Sequence, residues 1–329
     1  MISRLDCLPA LRRLATTCAG VNQDDSCLIV TDTAADATIV EAAATVLHTL
    51  GATVVVISSE PAVLPGDEPP PAVGAAMQHA DVVLELTSVF VGSSPARQAA
   101  CEAGARYLTV PGLNWTTLRR DGPFAADFEA IGTAARELGE RFDAANEFEL
   151  TSANGTDLRG SFAGRRGRPL WGIANEPGGY AAPPDIEVGA SPAEGSAEGV
   201  VVVDGSVLFL GPDQLTGTIR LHFHEGRLVD LDGSEAWRLA DALAQASDEK
   251  MTNLAEVSIG LNPFSRPGGS PLELEGIVGG AHVALGNNVA YGGSIDARSH
   301  IDCVLLEATL ALDGQPLTRA ELDACLTRS

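Results

Sequence analysis

The chain has 329 residues, 45% of them hydrophobic, and a mean hydropathy of +0.11, enough for two folded domains with substantial cores. A formal net charge of −23 repels a phosphate backbone, and no basic cluster stands out beyond "RRGR" at residues 165–168, so nucleic acid is not expected as a partner. No run reaches the roughly 18 uninterrupted apolar residues of a membrane span, and the first residues mix acids and arginines into apolar positions, unlike a secretory signal; a cytoplasmic protein with no membrane partner is expected.

Along the chain, "CLIVTD" (27–32), "ATVVVIS" (52–58), "DVVLELTS" (81–88) and "RYLTV" (106–110) read as short strands. Between and after them, residues 38–51, 94–104 and 124–145 read as helices, with Ser94 as an N-cap, and the proline-rich segment 60–73 as a surface loop. This alternation predicts a parallel α/β domain over residues 1–146. "TAADAT" after the first strand offers no glycine for a pyrophosphate to approach, which sets nucleotide cofactors aside.

From residue 147 the texture turns to β runs broken by Gly, Asn and Pro: 147–162 with an Asn-Gly turn, and 199–211 and 217–233, each turning at a glycine. One helix, 234–247, interrupts them. The fold class expected is α/β: an N-terminal parallel α/β domain followed by a β-rich α+β metal-binding domain over residues 147–329. The six cysteines (Cys7, Cys18, Cys27, Cys101, Cys303, Cys325) show no paired spacing and read as reduced thiols.

The chemistry gathers in the second half. "HID" begins an apolar run, and on a strand His300 and Asp302 turn to the same face, which suits either a metal site or a His300–Asp302 hydrogen bond at a loop–strand junction. His282 opens another short strand after two glycines. Glu256 lies in the apolar run "LAEVSIGLNP", where a carboxylate calls for a compensating partner or an edge position facing water. Glu187 sits in a Pro/Gly-rich segment. His222 and His224 share one strand face and suit either a metal or a solvated hairpin; Glu273 and Glu275 suit a capped surface turn, or a general base; Arg159 and Arg298 are candidates for a substrate carboxylate.

Taken in order, "EV" at Glu187, "GVVVVDGS", "AEV" at Glu256, "HVALG" at His282 and "SHID" at His300 and Asp302 resemble the thermophilic aminopeptidase family typified by aminopeptidases T and S, over residues 149–314. That resemblance implies a homodimer and a pair of divalent metals (Zn, Co or Mn) on Glu187, Glu256, His282, His300 and Asp302. The family's tyrosine position is Val289 here, with Tyr291 close by. "GLNP", "GNN" and "HID" are also similar to the mononuclear iron enzymes that open 2,5-dihydroxypyridine rings, which carry a histidine where this chain has Glu256. The preferred expectation is metal-assisted hydrolysis of a short peptide or small amide, with Glu187 and Glu256 as the catalytic carboxylates. An Fe(II) dioxygenase acting on a small hydroxylated ring is the alternative, and a metal-stabilised binding protein a third reading.

Overall fold

A computed structural model describes residues 4–211 and 214–328, with side chains described up to residue 323. Contacts divide the chain into two compact units. One comprises the residues up to Glu129 together with Trp171–Pro184 and Gly269–Glu273; the other comprises Ala130–Leu170, Asp185–Gly268 and the residues from Leu274 onward. The chain therefore passes between the units several times instead of dividing once after residue 146.

The first unit holds a five-stranded parallel sheet in the order Thr53–Ser59, Ser26–Asp32, Val82–Leu86, Arg106–Thr109, Tyr180–Ala181. Its inner strands are buried almost throughout and mostly apolar, with Glu85 the charged exception in Val82–Leu86. Leu28, Val30, Val83 and Tyr107 pack against Val73, Met77, Ala96 and Ala100 from two helices. Ser94 caps the helix Pro95–Glu102 by accepting from the Arg97 amide. The segment 60–73 is not loop throughout: Pro71 opens a helix, Pro71–Met77, because a proline at the first helical position gives up no needed hydrogen bond. No described helix is long and apolar enough to cross a membrane.

The second unit has two antiparallel sheets. A seven-stranded sheet contains the hairpin Glu147–Thr151/Asp157–Ser161, turning at Asn154-Gly155, and the hairpin Ile219–His224/Arg227–Gly233. The glycine turn expected inside 199–211 does not make a hairpin: Glu198–Val203 belongs to this sheet, whereas Ser206–Val207 pairs with His300–Leu305 in the other. That other sheet, six-stranded, runs Ser206–Val207, His300–Leu305, Ala281–Gly286, Leu254–Gly260, Glu187–Ala190, Arg168–Leu170. Cys7, Cys18, Cys27, Cys101 and Cys303 are free thiols; the side chain of Cys325 lies outside the described residues.

Gly199 sits in the strand Glu198–Val203 at φ +126°, where an added Cβ would stand 2.0 Å from the Asp157 carbonyl oxygen. Strain and clash act together there, so Gly199→Ala is expected to lower stability by about 2–3 kcal/mol. Urea denaturation checks this through a lower midpoint at unchanged slope.

Candidate metal centre

Four neighbouring strands of the six-stranded sheet each bring a candidate ligand to one face. Paired residues in an antiparallel ladder share a face, and so do residues two apart on one strand. Asp302 pairs with Ala284 and Ala284 with Glu256; His282 pairs with Ser258, and Glu187 with Gly260. His300, Asp302, His282, Glu256 and Glu187 therefore all project the same way. A register shift between Leu254 and Glu256 marks a bulge beside the glutamate. Glu256 is on a central strand and fully buried, which removes the reading of it as a water-facing edge residue.

The side chains converge. His282 Nε2 lies 3.1 Å from Glu187 Oε2, 3.4 Å from Glu256 Oε1 and 3.6 Å from Glu275 Oε1. His300 Nε2 lies 3.1 Å from Glu256 Oε2 and 3.1 Å from Asp302 Oδ1. Donor atoms of Glu187, Glu275 and His282 all fall within 4.8 Å of one another, and those of Glu256, His300 and Asp302 form a second such group. Glu256 reaches both imidazoles, one with each oxygen.

Room for this cluster comes from small neighbours on the same face. A Cβ on Gly189 would stand 1.5 Å from Ser258 Oγ and 2.7 Å from Glu256 Oε1. Ser258 in turn donates to Glu256 Oε1. On the other side, His300 Nδ1 donates to the Asn287 carbonyl at 2.6 Å, which fixes the tautomer and leaves Nε2 toward the carboxylates. The Tyr291 ring lies parallel to His300 at 5.6 Å between centroids and donates its hydroxyl hydrogen to Glu187 Oε1 at 3.2 Å. Arg168 covers the tyrosine ring at 4.5 Å from its centroid.

The electrostatics are those of crowded anions. Burial pushes the Glu187 carboxyl up to about 7 against the pull of His282. Burial, with the surrounding carboxylates, lifts Asp185 and Glu275 well above the usual range. Burial would also raise Glu256, but the imidazoles of His282 and His300 outweigh it and hold that group low. For His282 burial disfavours the cation, yet Glu187 and Glu256 raise it to about 9; Asp302 and Glu256 lift His300 in the same way. Asp185 Oδ1, Glu187 Oε2, both His282 ring nitrogens and Asp302 Oδ1 are buried without a hydrogen-bond partner. Buried lone pairs facing one another at ion-pair distance, with carboxylates in excess, are the donor chemistry of a divalent-cation site.

Sequence reasoning set Glu275 on a surface turn, but it is buried in this cluster, and Glu273 is buried against Arg119 at 2.7 Å. Asp185 went unnoticed, although its spacing of two from Glu187 was the available signal. His222 instead pairs with Asp232 across its hairpin, and His224 with Glu198 on the neighbouring strand. Arg159 pairs with Glu149 and Asp157, and Arg298 donates to the Gln245 carbonyl.

The family model described as "NicX: 2,5-dihydroxypyridine 5,6-dioxygenase" matches residues 7–321. The chain belongs to this family. A 2,5-dihydroxypyridine 5,6-dioxygenase from Pseudomonas putida is 23% identical over 256 residues, 74% of this chain and 71% of that protein. Among solved structures, 2,5-dihydroxypyridine dioxygenase from P. putida KT2440 superposes with a TM-score of 0.76 at 19% identity, covering 97% of this chain and 96% of the other. AmpT, an aminopeptidase from Thermus thermophilus, gives 0.69 at 19% identity, covering 95% and 97%. At such identity both superpositions speak for the fold alone. Membership of the NicX family corrects the preference for hydrolysis: metal-assisted cleavage of peptides or amides gives way to the ring-opening alternative.

Gly189→Ala is expected to displace Ser258 and Glu256 and to lower metal content severalfold while the protein stays folded, as elemental analysis beside circular dichroism will show. A second expectation concerns pH. Protons on Glu187, near 7, and His282, near 9, must leave before a cation settles among them, so affinity should rise with pH between about 6 and 9. Calorimetric Zn²⁺ titration at pH 7 in buffers of different ionisation enthalpy should register the release of about one proton or more per ion. Binding without proton release would contradict the assignment.

Proposed function

We propose that the protein is a metal-dependent dioxygenase that opens a small hydroxylated N-heterocycle of the 2,5-dihydroxypyridine type, with Glu256, His300 and Asp302 holding Fe(II), and Glu187 and His282 beside them. The observation carrying this reading is the family match across residues 7–321; the convergence of those three side chains supports it. Glu256 stands where the resemblance to ring-opening enzymes has a histidine, so the donor set has two carboxylates and one imidazole. That set suits a hard divalent ion and brings one more negative charge to it.

Bound there, Fe(II) would supply the one-electron chemistry that O₂ needs. The chain's own residues do the rest. Asn287 holds the His300 Nδ1 hydrogen, keeping the Nε2 lone pair directed inward. Glu187, 3.1 Å from His282, would take a proton from a ring hydroxyl once its own proton has left. Tyr291 closes one side of the imidazole and holds Glu187 through its hydroxyl.

The test is oxygen uptake by the full chain loaded anaerobically with Fe(II) and supplied with 2,5-dihydroxypyridine. One O₂ consumed per ring, with loss of the ring absorbance, is expected; no uptake with any hydroxypyridine would overturn the proposal. Glu256→Ala and Asp302→Ala should each lower turnover by about 100-fold or more, since removing a ligand costs at least what its supporting partners do. Glu256→His should retain iron where Glu256→Ala loses it.

A further inference from the structure

The segment 287–299 joins two ligand-bearing strands, Ala281–Gly286 and His300–Leu305, and is anchored by a residue far from it in sequence. Glu194 Oε1 accepts from the Ser294 amide at 2.8 Å, from Ser294 Oγ at 3.2 Å and from Asn288 Nδ2 at 3.1 Å. Its other oxygen pairs with Arg165, whose Nη1 donates to the Gly292 carbonyl at 2.6 Å. Asn288 is fully buried. Its Nδ2 also reaches Ser191 Oγ at 3.0 Å, and its Oδ1 accepts from the Ile295 amide at 2.8 Å. Hydrogen bonds to Glu194 outweigh the effect of burial and hold its carboxyl down at about 2, so the anchor stays charged at any working pH.

The anchored segment touches His300 in two places. The Asn287 carbonyl, bonded covalently to the Asn288 nitrogen, accepts His300 Nδ1–H, and the Tyr291 ring lies flat on the imidazole. Any shift of Asn288 moves that carbonyl. We propose that Glu194 is a positioning residue: through Asn288 and Ser294 it clamps the segment 287–299, and through that segment it sets the orientation of the His300 imidazole toward the bound cation. This rests on the ligand role proposed for His300, and it assigns a function to "RRGR", whose Arg165 completes the clamp while Arg168 backs Tyr291.

The probe is Co²⁺, titrated into the full chain and followed by its visible absorption and by the hyperfine-shifted, exchangeable His300 Nδ1 proton. Glu194→Ala and Asn288→Ala should each weaken Co²⁺ binding about 10- to 100-fold, shift the visible bands and speed solvent exchange of that proton. Glu194→Gln, which keeps an acceptor for Ser294 and Asn288, should restore much of the affinity. Arg220→Ala, which breaks an exposed ion pair elsewhere, should change nothing. Wild-type affinity and spectrum in either alanine variant would overturn the proposal. Since coupling is reciprocal, Co²⁺ loading of the unmutated protein should slow hydrogen exchange at the Tyr291, Gly293 and Ser294 amides, and unchanged exchange would overturn it whether or not the variants fold. An unmutated protein that takes up no Co²⁺ overturns the ligand assignment and this inference together.

Discussion

Mutual repulsion among buried carboxylates is the constraint on which the second unit's architecture turns. Asp185, Glu187, Glu256, Glu275 and Asp302 crowd one face of a six-stranded sheet against two imidazoles. Even with both histidines protonated the balance is negative, and removing ions from water costs several kcal/mol each unless they are compensated. Protons, a cation or both must make up the difference. The chain tolerates this because the strands beneath are apolar on their opposite face, and Val257, Ile259, Val283, Ile301 and Cys303 are buried there.

Geometry is set by what is small as much as by what is charged. Gly189, Ala284 and Gly260 occupy the ladder positions between the ligand rows, so the long acids can lean toward one another over the sheet. Cys303 shows the complementary rule: adjacent to Asp302 but pointing away from it, the thiol is buried and pushed up by that burial, so it takes no part in the donor set.

Much of this was legible in the sequence. The parallel α/β half followed from the alternation of apolar strands with helical periodicity, and the shared face of His300 and Asp302 followed from their spacing of two. The convergence of Glu187, Glu256 and His282 on that face was implied by a resemblance in the order of motifs and not by spacing alone, because their meeting depends on non-local register. Glu275 was hidden because a Pro-led "SPLELEG" looks like a solvated turn, and local pattern does not reveal that the turn is folded inward. The short helix at Pro71 had a local signal in its leading proline, hidden within a proline-rich run, whereas the exchange of segments between the units had none, since it is decided by packing. The chemistry was misjudged for a related reason: one donor set serves hydrolysis and oxygenation alike, and a ligand list carries no information about which co-substrate arrives.

The four ligand-bearing strands begin at Glu187, Leu254, Ala281 and His300, so the donors meet only after several long loops of chain have closed. Closing such loops is entropically costly, and pairings of this range form late on a folding route. In a nascent chain these acids and histidines are scattered, and they come together only when the sheet is complete. A divalent ion held by these residues would in this way report finished topology.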